Sequence, residues 1–281
     1  MNKILGTAQL ARSYGAVTRR TSNLSEVDAI RLLQLAEIKG FHAIDTAPIY
    51  GTAEAIVGRS GVKLEVHTKL DPTRSVIDSV DSSLRLLKRE VLDVVYLHDS
   101  TLIKDPNSSV ISSLYELVGV KVKKIGVSVY GETEFTIADA DPRIEIIQVP
   151  FSIFDQRRKS FRSHKTTKTQ AEVVARSIFL QGLILLHPSA YPKEHQRLIP
   201  HGKALNLVAE KHGLSLMEVA IGFAKFHDFY SNYVFGTDTE PDLLEINAVF
   251  DRVSLSSDII GELELLRCDD FSAVDPRLWV R

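Results

Sequence analysis

The sequence predicts an α/β protein that folds as a single (β/α)8 TIM barrel over residues 1–281. Short segments rich in Val, Ile and Leu alternate with helical segments along the whole chain, an order typical of parallel strands joined by helical crossovers. Eight such units can be counted, and eight favour closure into a barrel over an open doubly wound sheet, which usually has fewer strands. A length of 281 residues fits one such domain.

Each predicted strand is short and mostly apolar, which suits a strand that is buried on both faces. The strands are expected at residues 3–8, 41–45, 64–69, 91–98, 124–129, 144–149, 173–178 and 233–235.

The helices follow from caps and from apolar positions at helical spacing. Ser25 is expected to cap the first helix, which Gly40 ends. Further helices are expected at 72–88, 203–212 and 216–226, and an extra C-terminal helix at 257–266 should pack outside the barrel. Segment 156–172 carries six Lys or Arg residues and is too polar for a confident helix. A solvated basic face is its simplest interpretation, and a phosphate or partner site is the alternative.

The composition excludes several classes of function. With 44% hydrophobic and 25% charged residues and a net charge of -2, the chain gives no electrostatic reason to expect nucleic acid or an acidic membrane surface as a partner. A single cysteine and the absence of Cys/His zinc spacing predict no metal site and fit a reducing cytoplasm. We expect neither an export signal nor a bilayer-spanning stretch of about 20 apolar residues. The oligomeric state is left open.

Polar side chains end five consecutive predicted strands. These residues are Asp45, Lys69, His98, Ser128 and Gln148, and Tyr50 follows just beyond the second strand. Each has a structural explanation when taken alone, such as a helix cap for Asp45. The carboxyl ends of barrel strands face a common basin, however, so their convergence predicts an active site there. His67, by contrast, is predicted to point toward the helices.

These residue types suit acid/base chemistry on a carbonyl group. A free phenol has a pKa near 10, and a neighbouring ammonium favours the phenolate, so Lys69 would help Tyr50 to give and take a proton. Asp45 would keep Lys69 charged and oriented. His98 would align the substrate oxygen by donating a hydrogen bond.

The same residues resemble the signature of the aldo-keto reductase superfamily. That signature is an Asp-Thr-Ala-x-x-Tyr-Gly stretch, here residues 45–51, followed by a strand-end Lys and a strand-end His. The resemblance implies that Asp45, Tyr50, Lys69 and His98 are the catalytic residues. It further implies reduction of an aldehyde or ketone, or the reverse oxidation, with NADP(H) or NAD(H). Short loops around the basin suit a polar small-molecule substrate such as a sugar or sugar derivative.

The resemblance also implies where the cofactor binds. Ser128 and Gln148 would hold the nicotinamide carboxamide, the segment after the seventh strand would hold the pyrophosphate, and the eighth loop would hold the adenosine end. The residues so assigned are Gly6, Thr7, Ser128, Gln148, Arg176, Ser177, Phe179, Gln181, Gly182, Gly236, Thr237, Asp238 and Asn247.

Three departures from the family pattern affect the cofactor site. Val129 replaces an Asn that usually binds the carboxamide, so the nicotinamide is held less firmly or Tyr130 compensates. The acidic loop after Gly236, with Asp238, Glu240 and Asp242, favours NAD, whereas the family favours NADP, and the preference stays open. Arg176 replaces an aromatic residue that stacks on the nicotinamide. It would stack as well, attract an anionic group of the substrate, or form a structural salt bridge.

Two other functions remain as alternatives. Lys69 could act as a Schiff-base amine in a barrel aldolase or isomerase, although its pairing with Asp45 argues against this. A barrel that binds the dinucleotide without turnover, in a regulatory or scaffolding role, is the other.

Overall fold

The computed structural model describes residues 1–11, 24–105, 108–157 and 171–279. Every strand pairs in parallel with its neighbours in the sequence, and the last strand pairs with the first, so the sheet is closed. The predicted (β/α)8 barrel is therefore confirmed. The strands are β1 Asn2–Gly6, β2 Ala43–Asp45, β3 Glu65–Lys69, β4 Leu92–Leu97, β5 Val122–Ser128, β6 Ile146–Pro150, β7 Glu172–Arg176 and β8 Asn232–Gly236.

The helices surround the barrel, and side-chain caps fix where several of them begin. Ser25 accepts a hydrogen bond from the Asp28 N–H, and Ser215 forms a reciprocal capping box with Glu218. The described helices are α1 Glu26–Ile38, α2 Ala53–Ser60, α3 Val76–Leu87, α4 Val110–Tyr115, α5 Glu132–Ala140, α6 Ile199–His212, α7 Leu216–Phe226, α8 Glu240–Arg252, α9 Ser257–Glu264 and α10 Phe271–Val274.

The strand boundaries differ from the predicted ones by one or two residues, for local reasons. Strand β7 ends at Arg176 because Ser177 has a φ of 63°, which leaves the extended conformation. Strand β1 ends at Gly6 because the chain turns, and the Leu10 N–H donates to the Thr7 carbonyl. Strand β8 begins one residue early, at the polar Asn232, whose side-chain amide donates a hydrogen bond to Glu172 on β7.

The interior of the barrel holds an apolar layer of its own. Residue Tyr96 is the largest member, and its ring lies against Gly126 so closely that a Cβ there would be 2.4 Å from the ring. The members of this layer are Ile4, Ala43, Val94, Tyr96, Ile146 and Val174, with Val234 packed against them. Side chains two residues apart on a strand share a face, so these residues point into the barrel. Together they separate the strand ends from the barrel floor.

The prediction for His67 is wrong. His67 is buried, and its ring centroid lies 6.0 Å from that of Tyr96 inside the barrel. The reason is the two-residue period of a strand, which places His67 on the same face as Lys69.

The predicted basic face falls mostly on residues 158–170, outside the described residues. Arg157 is described, and for this residue the prediction of a solvated face is wrong. Its side chain is 10% exposed, and its Nε lies 2.7 Å from Asp155 Oδ1. In the part of the chain that the structure describes, no helix is long and apolar enough to cross a bilayer.

Candidate active site

The carboxyl ends of the strands surround a cavity of about 350 Å3. Of the residues that the sequence assigns to the site, only Asn247 is absent from its lining. The cavity is lined by Asp45, Tyr50, Lys69 and His98, together with Gly6, Thr7, Ser128, Gln148, Arg176, Ser177, Phe179, Gln181, Gly182, Gly236, Thr237 and Asp238.

Lys69 and Asp45 form a buried ion pair at the base of this cavity. Lys69 Nζ donates to Asp45 Oδ1 over 2.8 Å and to the Thr46 carbonyl over 2.9 Å. Burial opposes the charge on Lys69, but the attraction of Asp45 and of Tyr50 outweighs it, so the pKa of the ammonium is raised. Lys69 therefore stays charged at working pH.

Tyr50 lies on the short 3-10 helix Pro48–Tyr50, which follows β2. Lys69 Nζ is 5.2 Å from the centre of the Tyr50 ring. Because Asp45 and Thr46 use two of the three N–H groups of Lys69, one N–H remains for another partner. A cation thus lies next to a phenol at the mouth of the barrel.

Gln148 also binds the buried carboxylate. Its Nε2 donates to Asp45 Oδ2 over 2.8 Å, so both oxygens of Asp45 are engaged. Local sequence patterns do not indicate this contact, because 103 residues separate the two side chains. Gln148 Oε1 accepts no hydrogen bond from a described residue and is the atom left for a ligand.

His98 is neutral in this setting. Burial, assisted by the positive charges of Lys69 and Arg176, lowers the pKa of His98 to about 4. A neutral imidazole carries one N–H, which can donate to an oxygen in the cavity.

The lowered pKa of His98 predicts a pH-dependent stability. The unfolded chain, with a His pKa near 6.5, takes up a proton before the folded one does, so the free energy of unfolding should fall as the pH drops from 6.5 to 4. This group should contribute a loss of about 3 kcal/mol over that range. Denaturant unfolding of the wild type and of His98→Gln at several pH values measures it. Equal losses in the two proteins would contradict the lowered pKa.

The loop after β7 has an unusual backbone. Ser177, Leu180 and Gln181 have positive φ angles of 63°, 46° and 54°, and Gly182 follows at 93°. Such strain in residues other than glycine is concentrated at functional sites, and left-handed residues can turn N–H groups into a concave anion-binding surface. The backbone of this loop is therefore of a kind found at functional sites, and Ser177, Gln181 and Gly182 line the cavity.

The residues that follow β8 form an acidic part of the cavity lining, called the acidic rim. A Cβ on Gly236 would lie 2.6 Å from Gln9 Oε1, so a larger residue there would displace the end of the Gln9 side chain. Asp238 and Asp242 line the same rim. Asn247 lies away from it: its Oδ1 accepts a hydrogen bond from Lys3 Nζ over 2.7 Å, which joins α8 to β1.

The lining also includes residues that were not assigned to the site from the sequence, among them Tyr130 and Arg277. Val129, which stands where the family usually has Asn, is wholly buried and does not line the cavity. The neighbouring Tyr130 does line it. Arg277 reaches the cavity from the C-terminal segment, and no local pattern in the sequence indicates that it does. In the ranges that the structure describes, no group of three His, Cys, Asp or Glu side chains could hold a metal ion.

Comparison with known sequences identifies the family. The Aldo/keto reductase family matches residues 4–267. The chain therefore belongs to the aldo/keto reductase family, a family of oxidoreductases. A curated relative, the aldo-keto reductase YhdN of Bacillus subtilis (strain 168), is 27% identical over 153 residues, and this match spans 47% of the chain and only 46% of the relative.

Solved structures share the fold. Aldo-keto reductase AKR11C1 from Bacillus halodurans has a TM-score of 0.74 at 20% identity, over 93% of this chain and 90% of that one. The glycerol dehydrogenase AKR11B4 from Gluconobacter oxydans has a TM-score of 0.70 at 21% identity, over 98% and 92%. A putative 2,5-diketo-D-gluconic acid reductase B has a TM-score of 0.71 at 22% identity, over 99% and 92%.

Proposed function

We propose that the protein is an NAD(P)H-dependent oxidoreductase that reduces an aldehyde or ketone to an alcohol, with Tyr50 as the proton donor. The observation that carries this proposal is the buried Lys69–Asp45 pair beside the Tyr50 ring, at the mouth of a closed barrel. The family supports it, because its members act on small carbonyl compounds.

The cavity residues divide the chemistry among them. A bound nicotinamide supplies the hydride that the carbonyl carbon accepts. Tyr50 gives its proton to the carbonyl oxygen, and Lys69 stabilises the negative charge that develops on the phenol oxygen. Neutral His98 donates a hydrogen bond to the same carbonyl oxygen and orients it.

Asp45 and Gln148 act by holding Lys69 in place. The carboxylate binds the ammonium through one oxygen and the amide of Gln148 through the other, so the three groups form a fixed unit. Electrostatic stabilisation is effective when such groups need not reorganise during the reaction. A fixed Lys69 therefore keeps its charge next to Tyr50 throughout turnover.

The described lining also suits the cofactor. Ser128 and the free Oε1 of Gln148 are polar groups suited to the nicotinamide carboxamide, and the loop at 177–182 is suited to the pyrophosphate. Asp238 and Asp242 favour a ribose hydroxyl over a 2′-phosphate, because carboxylates repel a phosphate and accept hydrogen bonds from a hydroxyl. We propose NADH as the better cofactor.

The alternative Schiff-base chemistry receives no support. An amine must lose its proton to attack a carbonyl, and the raised pKa of Lys69 keeps that proton in place. A barrel that only binds the dinucleotide would not need Asp45, Tyr50, Lys69 and His98 in one cavity.

The proposal is tested by following the oxidation of NADH and NADPH by absorbance, with a panel of aldehydes and ketones. Consumption that depends on both protein and carbonyl compound is expected, with a lower KM for NADH. Tight binding of either cofactor without any consumption would favour the non-catalytic barrel. A lower KM for NADPH would contradict the assignment of the acidic rim.

A further inference from the structure

Arg176 brings a positive charge into the cavity, and among the described residues the buried carboxylate of Asp155 acts on this charge from beyond ion-pair distance. Arg176 Nη1 donates to Ser177 Oγ over 3.3 Å, and its buried Nη2 has no hydrogen-bond partner. Among the described residues no carboxylate lies within ion-pair distance of this guanidinium. A structural salt bridge, one of the roles considered for Arg176, is therefore not formed within the described part of the chain. A partly buried cation of this kind is costly unless a ligand compensates it.

A second guanidinium, that of Arg277, contacts the same tyrosine ring as Arg176. The Cζ atoms of Arg176 and Arg277 lie 4.2 Å and 3.4 Å from the centre of the Tyr130 ring. All three residues line the cavity. Each guanidinium therefore makes a cation–π contact with the Tyr130 ring, which is favourable for both groups.

Arg277 is fixed in this position before any ligand binds. Asp275 accepts from Arg277 Nε over 3.0 Å and from Nη2 over 2.7 Å, and Asp275 itself is 2% exposed. Arg157 further anchors this carboxylate, with Nη1 at 3.6 Å from Asp275 Oδ2. The side chain of Arg277 remains 51% exposed, so part of its guanidinium is accessible from the cavity.

Arg176 lies close to the reacting groups. The charge of Arg176 acts on both His98 and Lys69, which places it on the side of the cavity where the carbonyl oxygen is proposed to bind. The acidic rim, with Asp238 and Asp242, belongs instead to the loop and helix after β8.

We propose that Arg176 and Arg277 form an anion subsite, and that the substrate is a carbonyl compound carrying a carboxylate or phosphate group. This inference rests on the proposed function and deepens it. Asp275 occupies Nε and Nη2 of Arg277, so Arg277 offers its Nη1 and Arg176 offers its Nη2. Hydrogen bonds from these nitrogens to a carboxylate or phosphate would be charge-assisted. The subsite binds the anionic end while Tyr50 and His98 face the carbonyl.

The subsite is tested with substrate pairs that differ in charge. 4-Carboxybenzaldehyde is compared with 4-nitrobenzaldehyde, and D-glyceraldehyde 3-phosphate with D-glyceraldehyde. In the wild type, kcat/KM should favour the anionic member of at least one pair by about tenfold or more. The pair that shows the larger ratio identifies carboxylate or phosphate as the preferred group. A ratio near one in both pairs would overturn the proposal.

Variants assign the preference to the two arginines. Arg277→Gln should lower the ratio of kcat/KM for the anionic substrate to that for the neutral one about tenfold. Arg277→Lys should restore part of this ratio, because lysine keeps the positive charge but lacks the planar guanidinium. Arg176→Gln should lower the ratio at least as much. Arg267→Gln is the matched control, since Arg267 is an exposed arginine paired with Asp269 outside the cavity. An unchanged ratio in Arg277→Gln and Arg176→Gln would refute the subsite.

A binding measurement separates this inference from the proposed function. Calorimetric titration of the protein saturated with NAD+ uses the two alcohols that correspond to the aromatic aldehydes. 4-Carboxybenzyl alcohol should bind about tenfold more tightly than 4-nitrobenzyl alcohol, and Arg277→Gln should remove the difference. If no aldehyde is reduced but this difference is found, the proposed function fails while the subsite stands. Equal affinities would reject the subsite even if aldehydes are reduced.

Discussion

Replacement of Tyr50 by Phe is expected to lower kcat for carbonyl reduction by about 10^3-fold. The substitution keeps the ring but removes the only proton that the phenol can give to the carbonyl oxygen, and general acid catalysis contributes about 10^2–10^4-fold. Substrate and cofactor affinities should change little, because the ring still fills its place beside Lys69. Steady-state kinetics measures kcat, and fluorescence titration measures the dissociation constant of the cofactor.

Tyr115 provides the control for this substitution. It is an exposed tyrosine at the end of α4, far from the cavity lining, so Tyr115→Phe should keep wild-type kcat. If Tyr50→Phe also keeps kcat within tenfold of the wild type, another group donates the proton and the proposed role of Tyr50 is wrong.

Replacement of Lys69 by Met should damage both stability and activity. It leaves the buried carboxylate of Asp45 with Gln148 as its remaining side-chain partner, and loss of one member of a buried ion pair costs about 3–5 kcal/mol. We expect kcat to fall at least about 100-fold as well, because the charge that assists Tyr50 is gone. Denaturant unfolding gives the free energy of unfolding, and cofactor oxidation gives kcat.

Two further variants separate these effects. The double variant Asp45→Asn/Lys69→Met removes the uncompensated charge, so it should recover much of the stability but none of the activity. Lys123→Met breaks a pair with Asp93 in which the lysine is 63% exposed, and such pairs contribute about 1 kcal/mol or less. Similar losses of stability in Lys69→Met and Lys123→Met would contradict the buried pair.

The strand-end residues were predictable because their placement follows from local rules. A side chain at the end of a parallel strand must face the mouth once the sheet closes, and strand periodicity selects the inward face. Asp45, Lys69 and His98 obey these rules, so their convergence could be expected before any coordinates. The same two-residue period places His67 on the inward face with Lys69, and the prediction that His67 points toward the helices did not apply it.

The remaining features depend on contacts between distant parts of the chain. The bond from Gln148 to Asp45 and the approach of Arg277 to Tyr130 join segments more than 100 residues apart. Asn247 faces β1 rather than the cavity, because its position on α8 directs it to Lys3. Local pattern carries no information about such pairings, since they arise only when the helices pack on the closed barrel.

The closed barrel explains how Lys69 is kept in place. Below the ion pair, Lys69 Nζ lies 5.9 Å from the centre of the Tyr96 ring, and this ring fills the interior next to Gly126. The apolar layer excludes water from beneath the pair, which strengthens its electrostatic interactions. The reacting groups thus rest on a rigid interior, while the loops above them determine which substrate binds.

Carbonyl reduction with Tyr50 as the proton donor is tested most directly by transfer of a label. The protein is incubated with 4-carboxybenzaldehyde and NADH dideuterated at nicotinamide C4, and the alcohol is analysed by mass spectrometry. The predicted result is one deuterium on the former carbonyl carbon, with a yield from Tyr50→Phe lower by about 10^3-fold over the same time. An alcohol without deuterium, or an equal yield from Tyr50→Phe, would contradict it.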